Sequence, residues 1–192
     1  MIEESLDRRS QRTRAALQAA FVELLLKDGY DELKIGAVAK AANVGRSTLY
    51  EHYRTKQDLL RGTLDGPFSV LAALVNPDDS TASVISLLMH FREHQHVARV
   101  LLTWPTRPVL GQALAALILD RLRCVDASPT SIPLEMTARQ IADAQLVLVE
   151  CWVLGRPVCD MDAIAQALKA TARALAMAAR QSTREACPDV FD

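Results

Sequence analysis

A chain of 192 residues, half of them hydrophobic, is long enough to bury a proper core in one or two domains. Aromatic residues make up only 5% and Ala and Leu dominate, which favours an all-helical protein. The net charge of −1 hides an asymmetry: residues 8–61 hold eleven Lys and Arg against six Asp and Glu, and residues 62–192 hold eleven against fourteen. The apolar runs fall far short of a membrane span, and the acidic start Met1-Ile2-Glu3-Glu4-Ser5 is no secretory signal, so a cytoplasmic protein without a membrane partner is expected.

Residues 1–7 read as disordered. A first helix is predicted from about Arg8 to Lys27, with Leu17, Ala20, Phe21, Leu24 and Leu25 as its apolar stripe and Gly29 as its stop. Arg8, Arg9, Arg12 and Arg14 crowd its beginning, where the helix dipole disfavours positive charge; contact with phosphate would account for Arg12 and its neighbours. Ile35, Val38, Ala39 and Ala42 then share one face of a short second helix. Asn43-Val44-Gly45 makes a turn, Asn43 tolerating a left-handed conformation and Gly45 serving as N-cap of a third helix. That third helix packs through Leu49 and Tyr53 and presents Arg46, Ser47, Thr48, Tyr50 and His52 as hydrogen-bonding groups. Helix, tight turn and donor-rich second helix are the parts of a helix-turn-helix that reads DNA.

Thr55 and Asp58 form a capping box opening a fourth helix. Pro67 should kink or break it, marking the junction between a DNA-binding domain, residues 1–61, and a second domain, residues 62–192. After a loop over 76–80, a fifth helix to about Val97 buries Val84, Leu87, Leu88 and Phe91; a short sixth spans Ala98–Trp104. A seventh, to about Val125, turns Leu110, Leu114, Leu117, Ile118 and Leu122 inward, and a loop over 127–133 follows. The last two helices, about Leu134–Leu154 and Asp160–Glu185, are rich in Ala and Leu. Their apolar faces are wide enough to pair with a second copy as a four-helix bundle, so a homodimer through them is expected. About nine helices result: an N-terminal three-helix helix-turn-helix domain and a C-terminal helical domain for ligand binding and dimerisation.

Cys124, Cys151, Cys159 and Cys187 form no Cys-x-x-Cys pair and read as free thiols. His90, Glu93 and His94 share a helical face with metal-binding spacing, but no further ligand completes a pattern; a solvated face is the reading, and neither metal nor cofactor is expected. Gly-rich phosphate loops, nucleophile elbows and zinc motifs are missing from the sequence, so it does not read as an enzyme.

The stretch Tyr30-Asp31-Glu32-Leu33, Ile35, Val38-Ala39, Ala42-Asn43-Val44, Ser47-Thr48-Leu49-Tyr50, His52-Tyr53 and Lys56-Gln57-Asp58-Leu59-Leu60 closely resembles the tetracycline-repressor-like (TetR) family of bacterial transcription regulators. The resemblance covers about a quarter of the chain. It implies a dimer that binds a palindromic double-stranded operator, with a C-terminal domain whose ligand shifts the recognition helices apart and releases DNA. The alternatives are a regulator without a small-molecule ligand and, less well supported, an enzyme built on the C-terminal helices. The family's usual Gly, Ser and Thr are replaced here by Asn43, Gly45 and Lys34; Lys34 can still reach phosphate as a point charge.

On this reading the third helix lies in the major groove, and Arg46 pairs bidentately with guanine O6 and N7. Ser47 and Thr48 are short donors, Tyr50 touches backbone or base, and His52 reaches phosphate. Tyr53 is mostly core with its hydroxyl at the surface, and Lys56 is the strongest phosphate candidate. In the second domain Met89, His90, Phe91, Trp104, Cys151 and Trp152, with Arg107 and Gln145 as polar anchors, are candidates to line a pocket for an apolar or aromatic effector, by family analogy.

Overall fold

A computed structural model describes residues 2–76, 81–125 and 132–185, with side chains described over 8–76, 81–124 and 132–180. The loops expected over 76–80 and 127–133 fall mostly outside these residues, as does Cys187. Among the described residues the chain is all-helical. The helices are α1 (Ile2–Glu32), α2 (Ile35–Ala41), α3 (Arg46–His52), α4 (Lys56–Ala73) and α5 (Thr81–Glu93), followed by α6 (Gln95–Leu102), α7 (Arg107–Val125), α8 (Leu134–Leu154) and α9 (Met161–Glu185). None of them is long and apolar enough to cross a membrane. Two compact units emerge, Met1–Asp65 and Gly66–Asp192, the division falling within α4.

Several boundaries follow local chemistry. Gly29 bends α1 with φ 77 and ψ 165, a conformation that favours glycine. Asn43 is left-handed (φ 53), and Val44 N–H bonds to Ala39 O (2.9 Å) while Asn43 N–H bonds to Lys40 O (3.2 Å). This is a Schellman closure with Asn in the glycine position. Gly155 ends α8 in the same way, through Arg156 N–H to Cys151 O (3.2 Å) and Gly155 N–H to Trp152 O (3.1 Å). The Thr55–Asp58 box is reciprocal, each side chain accepting from the other's N–H at 3.0 Å. Asp160 Oδ2 accepts from Asp162 N–H (3.2 Å) at the start of α9.

Three expectations change. α1 begins at Ile2, where disorder was expected. Pro67 lies inside α4 and does not end it. α5 stops at Glu93 and not near Val97, because His94 leaves helical geometry (φ −108, ψ 35) and α6 restarts at Gln95. Gln95 Nε2 donates to Val153 O (2.7 Å), a contact across 58 positions that sequence spacing cannot reveal.

The core of the first unit is Leu17, Phe21, Leu25, Val38, Leu49, Leu59 and Leu60, all essentially inaccessible. In the second unit α8 packs against α7 and α9, α5 against α9, and α6 against α7 and α8. Thr106, fully buried, donates among the carbonyls of Val100, Leu101 and Thr103 and so closes the end of α6. Gly111 leaves room for ions between α7 and α8: a Cβ there would sit 3.1–3.3 Å from Asp143, Arg107 and Arg139. Arg107 pairs with Asp143 (3.3 Å) and Glu150 (3.6 Å), and Arg139 with Asp143 (2.7 Å).

Candidate nucleic-acid interface

The helix-turn-helix presents its groups in a definite order. Leu49 is the buried residue of α3, so the opposite face looks outward. Arg46 and Ser47 are exposed, Tyr50 is 49% exposed, and Thr48 and His52 are half-buried. Neither Lys34 nor Gly45, the N-caps of α2 and α3, supplies a side-chain bond to the helix start, and neither helix has an acid in its first turn. The first amide N–H groups of each helix lack an acceptor four residues back, although Ala37 N–H bonds to Lys34 O (2.9 Å). Around these starts Lys34, Gly36, Ala37, Lys40, Val44 and Arg46 line a shallow concavity of about 500 Å³. Three cations thus converge where the helix dipoles also favour an anion. Lys40 escaped the sequence reading; its only signal is a basic residue in the last turn of α2. Arg12, on α1, is exposed.

Two expected contacts look inward instead. Lys56 Nζ donates to the carbonyls of Tyr30 and Asp31 (3.3 Å for Asp31) and stands 4.3 Å from the Tyr30 ring centroid. Its ammonium thus fastens the start of α4 to the end of α1. Tyr53 is only 7% exposed, and its hydroxyl, expected at the surface, accepts from Gln18 Nε2 (2.9 Å). The same Nε2 donates to Gly62 O (2.8 Å). Tyr53 therefore ties the end of α3 to α1 and α4 and positions the recognition helix. A Cβ on Gly62 would lie 2.6 Å from Tyr53 Cε1. Gln18 carries no sequence signal; Gly62, a lone glycine in a helical pattern, carries a weak one. Burial, the larger cause, raises the Tyr53 phenol, and Asp65 adds to it while the Gln18 bond and Arg14 oppose it. Tyr30 is raised by burial and then by Asp31, against Arg61.

The eight residues proposed for an effector pocket do not meet in one place. Phe91 and Trp152 do, lining a cleft of about 310 Å³ with Arg92, Gln95, Val153 and Met161. His90 faces a different, open groove beside Pro67 and Leu87. Trp104 is 80% exposed, Met89 is exposed, and Arg107 is held in the ion cluster against Gly111. Cys151 is half-buried. Gln145 is fully buried: its Nε2 donates to Leu71 O (3.0 Å) and its Oε1 is left without a hydrogen bond. Choosing residues by type picked apolar and polar groups from several faces of the helices, which is why they scatter.

Residues 17–63 match the family of bacterial regulatory proteins, tetR family. Over 60 residues the chain is 42% identical to an uncharacterised HTH-type transcriptional regulator, YxbF, of Bacillus subtilis, covering 31% of this chain and 16% of that protein. Over 57 residues it is 33% identical to the DNA-binding transcriptional repressor TetR of Mycobacteroides abscessus, covering 30% of each. The matches to these curated relatives thus span less than a third of their lengths. A crystal structure of a TetR transcriptional regulator from Streptococcus agalactiae superimposes with a TM-score of 0.52 at 25% identity, over 93% of this chain and 99% of that one. The exposed face of α3, the Asn43 turn and these likenesses agree: residues 17–63 form a helix-turn-helix similar to that of the tetR family of bacterial regulatory proteins.

Proposed function

We propose that this chain is a transcriptional regulator, not an enzyme, which binds a palindromic double-stranded operator as a homodimer and answers to a small molecule. The observation that carries the DNA-binding reading is the outward face of α3 beside the cationic concavity of Lys34, Lys40 and Arg46. Arg46 reads a guanine edge in the major groove, with Ser47, Thr48 and Tyr50 on neighbouring bases or phosphates. Lys34, Lys40, Arg12 and His52 serve the phosphate backbone. Lys56 and Tyr53 act by holding α3 in place.

Exposed Met136, Val147 and Leu154 on α8 and Met177 on α9 support dimerisation through the last two helices, since apolar side chains there gain by meeting a second copy. The Phe91–Trp152 cleft is of a size that suits a small aromatic or apolar effector. Selection of bound DNA from a random or genomic pool tests the reading. A site with half-sites about one helical turn apart is expected. Arg46→Ala should then lose roughly 1–3 kcal/mol on the matched operator and little on a scrambled one. Lys34→Ala should weaken both alike and lower the salt slope by about 1. Equal losses from Arg46→Ala on both sequences would remove its readout role, and failure to select any DNA would remove the function.

A further inference from the structure

We propose that His90, Glu93 and His94 form a surface site for one transition-metal ion, Zn²⁺, Ni²⁺ or Cu²⁺, at the joint between α5 and α6. Spacing alone argues for a solvated face, and all three side chains are exposed; the structure adds their mutual proximity. One ligand-capable atom of each residue lies within 4.8 Å of the other two. A tetrahedral ion with bonds near 2.0–2.1 Å needs its ligand atoms about 3.4 Å apart, which small side-chain rotations on an exposed helix supply. The two imidazoles lie 4.4 Å apart, centroid to centroid.

A second observation concerns the tautomer. His94 Nδ1 lies 3.1 Å from the carbonyl oxygen of His90. A carbonyl only accepts, so this contact needs a proton on Nδ1, which in the neutral ring leaves the Nε2 lone pair for a metal. A backbone carbonyl on one ring nitrogen is the arrangement that orients a ligating histidine. The cluster also lies at the carboxyl end of a 13-residue helix, where the dipole favours a cation. Two imidazoles and one carboxylate select borderline transition metals over Mg²⁺ or Ca²⁺ and leave a fourth position to water.

The site would act on the neighbouring cleft. His94 is the non-helical residue of the joint (φ −108, ψ 35), and the next residue, Gln95, is fastened to Val153 O. Phe91, Arg92 and Gln95 form one wall of the cleft that Trp152 and Met161 complete. A metal holding His90 to His94 fixes that wall. This proposal does not depend on DNA binding.

The test uses the full chain stripped by a chelator. Calorimetric titration should give one Zn²⁺ per chain, without competition from Mg²⁺, and Co²⁺ should show the visible absorption of a tetrahedral site. His90→Ala and His94→Ala should each weaken Zn²⁺ binding about tenfold or more, while His96→Ala leaves it unchanged. With Trp104→Phe, only Trp152 of the chain's two tryptophans remains to report, and its fluorescence should change on loading. Protection of His90 and His94 from an acylating histidine reagent by Zn²⁺, read by peptide mass spectrometry, gives the same answer without a variant. Non-saturable binding, or binding that survives the His90→Ala/His94→Ala double change, would overturn the site. An unchanged Trp152 signal would overturn its link to the cleft.

Discussion

Gly62 offers the sharpest test of how the recognition helix is held. In an ordinary helix interior Gly→Ala stabilises by about 1 kcal/mol through helix propensity. Here the new Cβ would lie 2.6 Å from Tyr53 Cε1, 2.9 Å from Oη and 3.2 Å from Cζ. Carbon contacts settle near 3.5–4.0 Å, so the ring must retreat by about 1 Å. Tyr53 is buried to 7% exposure and its hydroxyl is bound by Gln18, which also holds Gly62 O, so retreat strains a packed joint. Overpacking costs about 1–3 kcal/mol and the disturbed hydrogen bond about 1. Set against the propensity gain, Gly62→Ala should destabilise the N-terminal unit by about 1–3 kcal/mol. The chain's three tyrosines, Tyr30, Tyr50 and Tyr53, all lie in this unit and both tryptophans in the other. Urea unfolding followed by tyrosine near-ultraviolet dichroism and by tryptophan emission therefore separates the two. In a double-mutant cycle, Tyr53→Leu should remove most of the penalty. Stabilisation by Gly62→Ala near the propensity value would refute the reasoning, because Tyr53 would then have moved at no cost.

Four further outcomes follow from single interactions. Lys56→Met should lower the stability of the N-terminal unit by about 1–2 kcal/mol, through lost carbonyl bonds and ring contact, yet leave the salt slope of DNA binding nearly unchanged; a slope lower by about 1 would restore it as a phosphate ligand. Asn43→Gly should be neutral or slightly stabilising and Asn43→Val destabilising in thermal melts, because φ 53 excludes branched residues. Gly45→Ser should gain a few tenths of a kcal/mol as an N-cap; its Cβ has ordinary 3.8 Å contacts, so a loss of stability in urea unfolding would show a crowding absent here. Tyr30 and Tyr53 both have raised folded-state pKa values, so the N-terminal unit should keep its full stability below about pH 10 and lose it as pH rises beyond; a unit equally stable above that pH, by urea titration, would contradict the burial of both phenols.

What could be read from the residues alone was what local chemistry decides. Asn43, Gly155, the Thr55–Asp58 pair and Asp160 each announce an end or a start through their own backbone preference or side-chain reach, and each does so in the structure, whereas Gly29, read as a stop, bends α1 without ending it. The outward face of α3 was legible too, because Leu49 and Tyr53, four apart, define the inward one. The rest was not legible because it depends on distant contacts. The Lys56 contacts with the Tyr30 and Asp31 carbonyls are invisible to sequence spacing because they lie 26 and 25 positions away. The α5–α6 break was displaced because Gln95 is anchored to Val153. Pro67 does not end α4, where Leu64, Phe68 and Leu71 are all buried, although the division between the two units falls beside it.

The starts of α2 and α3 break local rules in a way that carries information. A Ser, Thr, Asp or Asn would be worth about 1 kcal/mol at Lys34 and a few tenths at Gly45, and an acid in either first turn a few tenths more. The chain instead places Lys34 and Arg46 at those positive ends and Lys40 beside them around one concavity. Two short helices of seven residues can tolerate such starts because Val38, Ala39 and Leu49 bury them against the rest of the unit. What the arrangement lacks is negative charge and hydrogen-bond acceptors, both in the same small region. A phosphate backbone would supply both at once, which supports the proposed DNA-binding reading. Local inconsistency confined to one surface is what a binding site produces when part of its structure belongs to the partner.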